Sequence, residues 1–173
     1  PSWMPRELTP LYSTLVLGNE ISEFKQRTYP IGANMAFRNY VFQECGTFNT
    51  ALGRVGKNLL GGEEKDMFFR IRSKKMRVFY LPNAWIFHII PTARTTKDFI
   101  KRQAIGSGQS ERVRCAHSWS KLAKAFALEF AKWGASFFLS LKYILLGKFK
   151  AAITLLQFRF WTSKGLIGNS TKM

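Results

Sequence analysis

The chain has 173 residues, which is enough for one ordinary domain with a hydrophobic core. Its formal net charge is +17, and the whole excess follows residue 66: residues 1–66 hold seven basic and seven acidic side chains, whereas residues 67–173 hold twenty and three. Two cysteines, Cys45 and Cys115, are too few for a disulfide framework and too far apart for a metal-binding spacing. We expect reduced thiols in a cytosolic setting.

A basic region of this size attracts polyanions, which include nucleic acid, anionic lipid and diphosphate-bearing substrates. The alternative is a solvated basic face that only aids solubility.

The first 62 residues predict short elements separated by loops. Residues 1–30 are punctuated by proline and are expected to be irregular with one short helix. Residues 40–45 predict a short helix that Gly46 closes. Residues 46–62 contain five glycines, which predicts a loop. Loops of this length are often functional lids or binding loops.

A helix is predicted over residues 63–73, because Glu63, Glu64 and Asp66 fall in its first turn, where acids are favoured. A carboxylate held there and facing a cleft can act as a general base. The plainer interpretation is that these acids only support the helix, with Asp66 paired to Arg70 four residues on.

Two short strands are predicted next, over residues 77–81 and 84–90, because both segments are rich in aromatic and branched side chains.

The remainder of the chain predicts basic helices. Residues 95–115 have a helical pattern that Gly106-Ser107-Gly108 is expected to interrupt. Residues 120–146 carry apolar side chains at steps of three and four, and residues 151–161 are mostly apolar again. The residues that form the first of these stripes, called the α4 stripe below, are Phe126, Phe130, Trp133, Phe137, Leu141 and Ile144.

This stripe has two interpretations. A helix that spans a bilayer needs about 20 apolar residues, and the apolar run 135–146 is shorter and contains Lys142. A basic amphipathic helix with Trp and Phe on one face suits the interface of an anionic membrane. The alternative is a helix packed on the protein's own core.

Five segments stand in an order that is informative as a set. They are YPIGANMAFR at 29–38, CGTF at 45–48, LGRVGKNLLGGEE at 52–64, YLPNA at 80–84 followed by His88, and QAIGSGQS at 103–110. Together they resemble the C-terminal half of family 2 glycosyltransferases of the GT-A fold. The resemblance covers about residues 1–115.

The resemblance implies an α/β fold: residues 1–115 would form the distal, acceptor-side part of a GT-A nucleotide-diphospho-sugar transferase domain. Basic amphipathic helices, interfacial with a membrane, would follow over 116–163, and 164–173 would be a flexible tail. Family members begin with a nucleotide-binding half that holds an Asp-x-Asp metal motif, and this sequence has neither. We therefore expect a fragment or a processed product that does not bind a nucleotide-sugar productively alone.

The resemblance also implies inverting transfer of a sugar from a nucleotide-sugar to an acceptor hydroxyl. Such transfer needs a base on one side of the sugar and positive charge at the departing diphosphate. The family's Glu-Asp motif falls on Glu63 and Glu64, although many members have Asp at the second position. Glu64 would be the general base, Glu63 would orient the loop or touch the acceptor, and Asp66 would support substrate binding.

Further positions carry over from the same family. Gly32, Asn34 and Arg38 match a loop beside the donor sugar, and Arg38 would bind phosphate. Lys101 and Arg102 stand where basic residues approach the diphosphate. For each of these three charges, a solvated surface position is the alternative.

His88 matches a histidine that ligates the metal in metal-dependent members. The implied ion is Mn²⁺ or Mg²⁺, with its main carboxylate ligands in a nucleotide-binding half. The alternative is a histidine bonded to backbone.

The implied partners are a nucleotide-sugar donor, a glycan or lipid-linked acceptor and an anionic membrane surface, at the cytoplasmic face of the inner membrane. A second hypothesis is a non-catalytic membrane-surface or scaffold protein that retains part of the fold. A nucleic-acid-binding protein is suggested by charge alone; the sequence carries no recognisable nucleic-acid-binding motif, so no specific nucleic acid is predicted.

Overall fold

A computed structural model describes residues 1–25, 28–53, 61–116 and 118–168. The elements in chain order are a 3₁₀-helix (Arg6–Tyr12), strand β1 (Ser22–Glu23), helices α1 (Asn39–Cys45) and α2 (Glu63–Ser73), strand β2 (Phe79–Tyr80), a 3₁₀-helix (Thr92–Thr95), and helices α3 (Lys97–Cys115), α4 (Trp119–Leu145) and α5 (Phe149–Ile167). The described chain contains both helix and strand but is mostly helical, and these elements do not by themselves support the predicted α/β fold of the GT-A type.

The sheet is smaller than the sequence predicts. Strands β1 and β2 form an antiparallel pair, with Ser22 opposite Tyr80 and Glu23 opposite Phe79. The predicted strand over residues 84–90 is wrong, because no described backbone pairs with this segment in a ladder. A strand is stabilised by hydrogen bonds to a neighbour, so an apolar composition alone does not form one.

Helices α1 and α2 confirm their predictions and pack on each other. Gly46 closes α1 with a φ of 72°, and Gly62 precedes α2 with a φ of 96°, both in the left-handed region that favours glycine. The buried core between them is apolar and consists of Val41, Met67, Phe68 and Ile71.

Helix α3 runs unbroken through the glycines that were predicted to interrupt it. Helix α5 crosses α3 there at close range: a β-carbon on Gly108 would overlap Thr162 O and lie 2.6 Å from Leu166 N. Likewise, a β-carbon on Gly165 would overlap Ile105 O. The glycines therefore permit a backbone-to-backbone helix contact rather than a turn.

A second core joins the two sides of the predicted boundary at residue 115. Its buried members come from the N-terminal 3₁₀-helix, from α3 and from α5: Leu8, Phe99, Ile100, Ala104, Leu155 and Phe158. Helix α5 also continues to Ile167, so residues 164–167 of the predicted flexible tail are helical. Residues 169–173 of that tail lie outside the described residues.

Helix α4 confirms the predicted helical stripe, but the α4 stripe does not form a core. Phe130 is 82% exposed and Phe137 is 55% exposed. The buried side chains of α4 are smaller or more polar: Leu122, Ala125, Glu129, Ser136 and Ser140. In the part of the chain that the structure describes, no helix combines the length and the apolar character needed to cross a bilayer.

Candidate functional site

Two linked hydrogen bonds attach the start of helix α2 to helix α3. The backbone N–H of Gly61 donates to Ser110 Oγ at 2.8 Å. The Ser110 hydroxyl in turn donates to Gly106 O at 2.6 Å. Gly62 then turns the chain into α2, whose first turn holds the three acids. Acidic residues are common in a first helical turn, where N–H groups lack intrahelical partners.

The predicted base, Glu64, lies directly against Gly32. A β-carbon at position 32 would overlap Glu64 Oε1 and lie 3.2 Å from its Cδ. Gly32 is exposed and Glu64 is half-buried, so the contact is at the surface. With the Glu64 carboxylate in this place, only glycine fits at position 32. The structure thus gives a reason for this glycine that the sequence alone does not.

The loop that carries Gly32 is held by its neighbour Asn34. The backbone N–H of Asn34 donates to Ile31 O at 2.9 Å, which closes a turn around Gly32. The side-chain amide of Asn34 donates to Ala84 O at 2.5 Å. The structure therefore brings Gly32 to Glu64, and it uses Asn34 to attach this loop to the segment that ends near His88.

Glu63 has a buried oxygen without a partner. Its Oε2 is buried and accepts no hydrogen bond from the described residues. The carboxylate lies beside Gly53, where a β-carbon would be 3.5 Å from Glu63 Cδ. An unsatisfied buried carboxylate oxygen is costly, so Glu63 retains capacity to accept a hydrogen bond. Residues 54–60 of the same sequence motif lie outside the described residues.

Asp66 has an internal partner. It accepts a hydrogen bond from Arg70 Nε at 3.0 Å. The same guanidinium donates to Cys45 O and, at 2.8 Å, to Thr47 O. The Asp66–Arg70 pair thus joins α2 to the end of α1, which is the plainer of the two roles weighed for Asp66.

A charged cluster between α2 and α3 was not anticipated from the sequence. Lys65 Nζ lies 2.6 Å from Glu111 Oε2, and Arg114 donates to the same carboxylate. The Arg114 guanidinium also lies 5.1 Å from the centre of the Phe69 ring. Burial alone would raise the pKa of Glu111, but the hydrogen bonds and charges of Arg114 and Lys65 outweigh burial and hold that pKa at about 2. The signal in the sequence was Glu111, an acid beside basic residues in the second half of a strongly basic helix.

Tyr29 is a further neighbour of the site that sequence reasoning missed. Its ring stacks on Phe68 at a centroid distance of 6.2 Å. Burial raises the pKa of Tyr29, and the negative charges of Glu64 and Glu111 raise it further. The phenol therefore stays neutral within electrostatic reach of the Glu64 carboxylate.

The other predicted binding residues are at the surface. Arg38 is exposed at the N-terminal end of α1, where its carbonyl accepts from Val41 N at 3.0 Å. Lys101 and Arg102 are exposed on α3, and Arg102 pairs with Asp98 at 2.9 Å. These positions fit the solvated alternatives weighed for the three charges.

The residues present do not by themselves fit a divalent metal. His88 is exposed, and its Nδ1 is 3.4 Å from Tyr12 O, which agrees with the backbone-bonded alternative. Within the described ranges, His, Cys, Asp and Glu side chains do not gather in any group of three that could hold an ion.

The chain matches no protein-family model, no curated protein and no solved structure. Its function is therefore inferred from the geometry at the start of α2 and from the ordered motifs of residues 29–110.

Proposed function

We propose that this chain carries the acceptor-side part of an inverting glycosyltransferase similar to the GT-A family, with Glu64 as the general base. The contact between Glu64 and Gly32 supports the proposal most strongly. It joins two residues that the family resemblance assigns independently, one to the base and one to the loop beside the donor sugar. The lack of a side chain on Gly32 leaves the carboxylate approachable from solvent.

The proposed chemistry is a single displacement. The acceptor hydroxyl oxygen attacks the anomeric carbon on the face opposite the nucleotide, and Glu64 takes the hydroxyl proton. The bond from the anomeric carbon to the diphosphate oxygen breaks, and the diphosphate leaves with the electron pair. Glu64 lies in the first turn of α2 against the loop that carries Gly32, and a carboxylate in such a place can serve as a general base.

Glu63 would orient the loop. Its carboxylate lies beside Gly53, and its Oε2 is buried and accepts no hydrogen bond from the described residues, so this oxygen is not open to a glycan or lipid-linked acceptor. Asp66 would act through Arg70 by holding α2 against α1, as a positioning residue that does not touch substrate.

The donor side of the proposal lies outside these residues. The nucleotide-sugar, and a Mn²⁺ or Mg²⁺ ion that would balance the diphosphate charge, would be held chiefly by a nucleotide-binding half. We also propose the GT-A topology for the whole domain, in which α1, α2 and the β1–β2 pair would form the distal edge.

The test compares Glu64→Gln with Asp66→Asn in a protein completed upstream of Pro1 by a GT-A nucleotide-binding half. Transfer is followed with labelled UDP- and GDP-sugars in the presence of Mn²⁺. We expect Glu64→Gln to lower the transfer rate by about 10²-fold or more, because general-base catalysis is worth that much. Asp66→Asn should retain most of the rate. Unchanged transfer by Glu64→Gln would remove the base role.

A second candidate is a non-catalytic membrane-surface protein. The outward aromatic face of α4 favours it, because soluble helices normally bury such a face. Under this second candidate, Glu64→Gln leaves membrane binding unchanged. The protein completed with a nucleotide-binding half then transfers no sugar.

A further inference from the structure

Helices α4 and α5 form an antiparallel hairpin with polar side chains in the contact between them. Trp133 Nε1 donates to Ser163 Oγ at 2.9 Å, and Ser140 Oγ donates to Ala152 O at 3.3 Å. Gly147, with a φ of 69°, lies in the turn between the helices. Small and hydroxyl side chains therefore line the contact between the helices, as they do where two helices approach closely.

The one acid of the hairpin is buried in this contact. Glu129 is 6% exposed and accepts hydrogen bonds from Arg159 Nη1 at 3.2 and 3.3 Å. Lys132 Nζ lies 3.6 Å away. Because the carboxylate is already neutralised by these partners, the surface of the hairpin presents positive charge only.

Both helices turn apolar side chains outward on the same side. Phe126, Phe130 and Trp133 of α4 line a groove of about 540 Å³ together with Ser163, Leu166 and Ile167 of α5. Further exposed apolar residues of α5 recur at helical spacing. We define the apolar ribbon as the α4 stripe together with these α5 residues: Phe149, Ile153, Phe160 and Ile167.

Exposed lysines lie on both helices of the hairpin. Lys150 and Lys164 adjoin the α5 part of the ribbon, whereas Lys124 and Lys142 lie toward the opposite, solvent-facing side of α4. An apolar strip on a hairpin whose exposed charges are all positive complements a surface that is apolar below and anionic above. A second copy of this chain fits less well, because a two-fold contact would bring like charges together.

We propose that the apolar ribbon lies flat on an anionic phospholipid bilayer, with both helix axes parallel to the membrane plane. The aromatic and aliphatic side chains enter the boundary between headgroups and acyl chains, and the adjoining lysines of α5 face lipid phosphates. The proposal goes beyond sugar transfer, and it can be tested without a donor, so the two proposals can fail separately.

The experiment is co-sedimentation of the 173-residue chain with vesicles of phosphatidylcholine that contain about 30% phosphatidylglycerol, against vesicles of phosphatidylcholine alone. We expect binding to the anionic vesicles that weakens with salt. The triple variant Phe130→Ser, Phe137→Ser and Phe160→Ser should lose at least about tenfold in affinity for these vesicles. The matched control, Trp85→Ser, Phe87→Ser and Ile89→Ser, removes three exposed apolar side chains elsewhere and should bind within about twofold of the parent.

A second variant keeps the test decisive if the serine substitutions impair folding, which circular dichroism would reveal. Replacement of Lys124, Lys142, Lys150 and Lys164 by Gln alters only exposed side chains. It should remove most of the preference for anionic vesicles. An equal loss in the Trp85 control would overturn the proposal. So would a dimer in sedimentation that dissociates in the triple variant while vesicles are not bound, because a second copy would then occupy the ribbon.

Discussion

The carboxylate of Glu64 rests on the α-carbon of Gly32, at a separation that a β-carbon would not allow. The two residues belong to different segments, a turn before α1 and the first turn of α2. This contact joins the two residues into one site, so a substitution of Gly32 should move the carboxylate of Glu64.

Gly32→Ala should impair function more than folding. Position 32 has no left-handed φ, so alanine fits the backbone, and the clash is with the flexible end of Glu64. We expect a loss of stability below about 1 kcal/mol. If the proposed function holds, sugar transfer by the completed protein should fall about tenfold or more, because Glu64, the proposed base, is displaced. Urea unfolding and transfer rates measure the two effects. Ala33→Ser, at the exposed neighbouring position, is the control; full activity of Gly32→Ala would show that the contact has no role in transfer.

The crossing of α3 and α5 should tolerate no side chain. Gly108→Ala would meet the backbone at Thr162 and Leu166, which cannot rotate away. We expect a loss of roughly 3 kcal/mol or more in the free energy of unfolding, because overpacking here must separate two helices.

The matched control for this crossing is Gly134→Ala in α4, where a β-carbon meets nothing within 4 Å. It should be neutral or stabilise by up to about 1 kcal/mol, because alanine favours a helix over glycine. Urea unfolding of both variants measures the difference. Equal stabilities would contradict the close crossing.

Glu111 should make stability depend on pH in the acid range. Its folded-state pKa of about 2 is below the ordinary value of 4.5, so ionisation favours the folded state. The contribution is fully present above about pH 5 and is lost as the pH falls from 4.5 toward 2; its size is of the order of 2 to 3 kcal/mol. Unfolding of the parent and of Glu111→Gln, compared across this range, should show a difference that disappears near pH 2. A difference that stays constant would contradict the cluster.

The buried pair of Glu129 and Arg159 should add little to the free energy of unfolding, whereas removal of one partner should lower that free energy strongly. Among the described residues, Arg159→Met leaves the buried Glu129 carboxylate with Lys132 as its remaining cation and Ser163 Oγ as a donor at 3.5 Å, and we expect a loss of about 3 kcal/mol. The double variant with Glu129→Leu should recover much of this loss, because no buried charge then lacks a partner. A double-mutant cycle by urea unfolding provides the measurement. Additive losses would show that the two side chains do not interact.

The site could be predicted in part. The residue types at the start of α2 follow from local rules, since acids are favoured in a first helical turn and glycine permits the positive φ of the residue before it. The pair of Asp66 and Arg70 follows from their spacing of four residues, and the structure confirms it. The further contacts depend on other segments: Arg70 also reaches the carbonyls of Cys45 and Thr47, and Lys65 pairs with Glu111 on α3, so spacing alone could not reveal them.

The sequence by itself determined the helices α1, α2 and α4, because capping glycines, first-turn acids and a period of three to four residues act within a few residues of chain. Only the tertiary structure decided the features that require a distant partner. Residues 84–90 form no strand because no described backbone pairs with them, and Gly108 lies within a helix because α5 crosses there. The contact of Gly32 with Glu64 has the same origin: sequence specifies each residue, and the fold alone brings a glycine to a carboxylate.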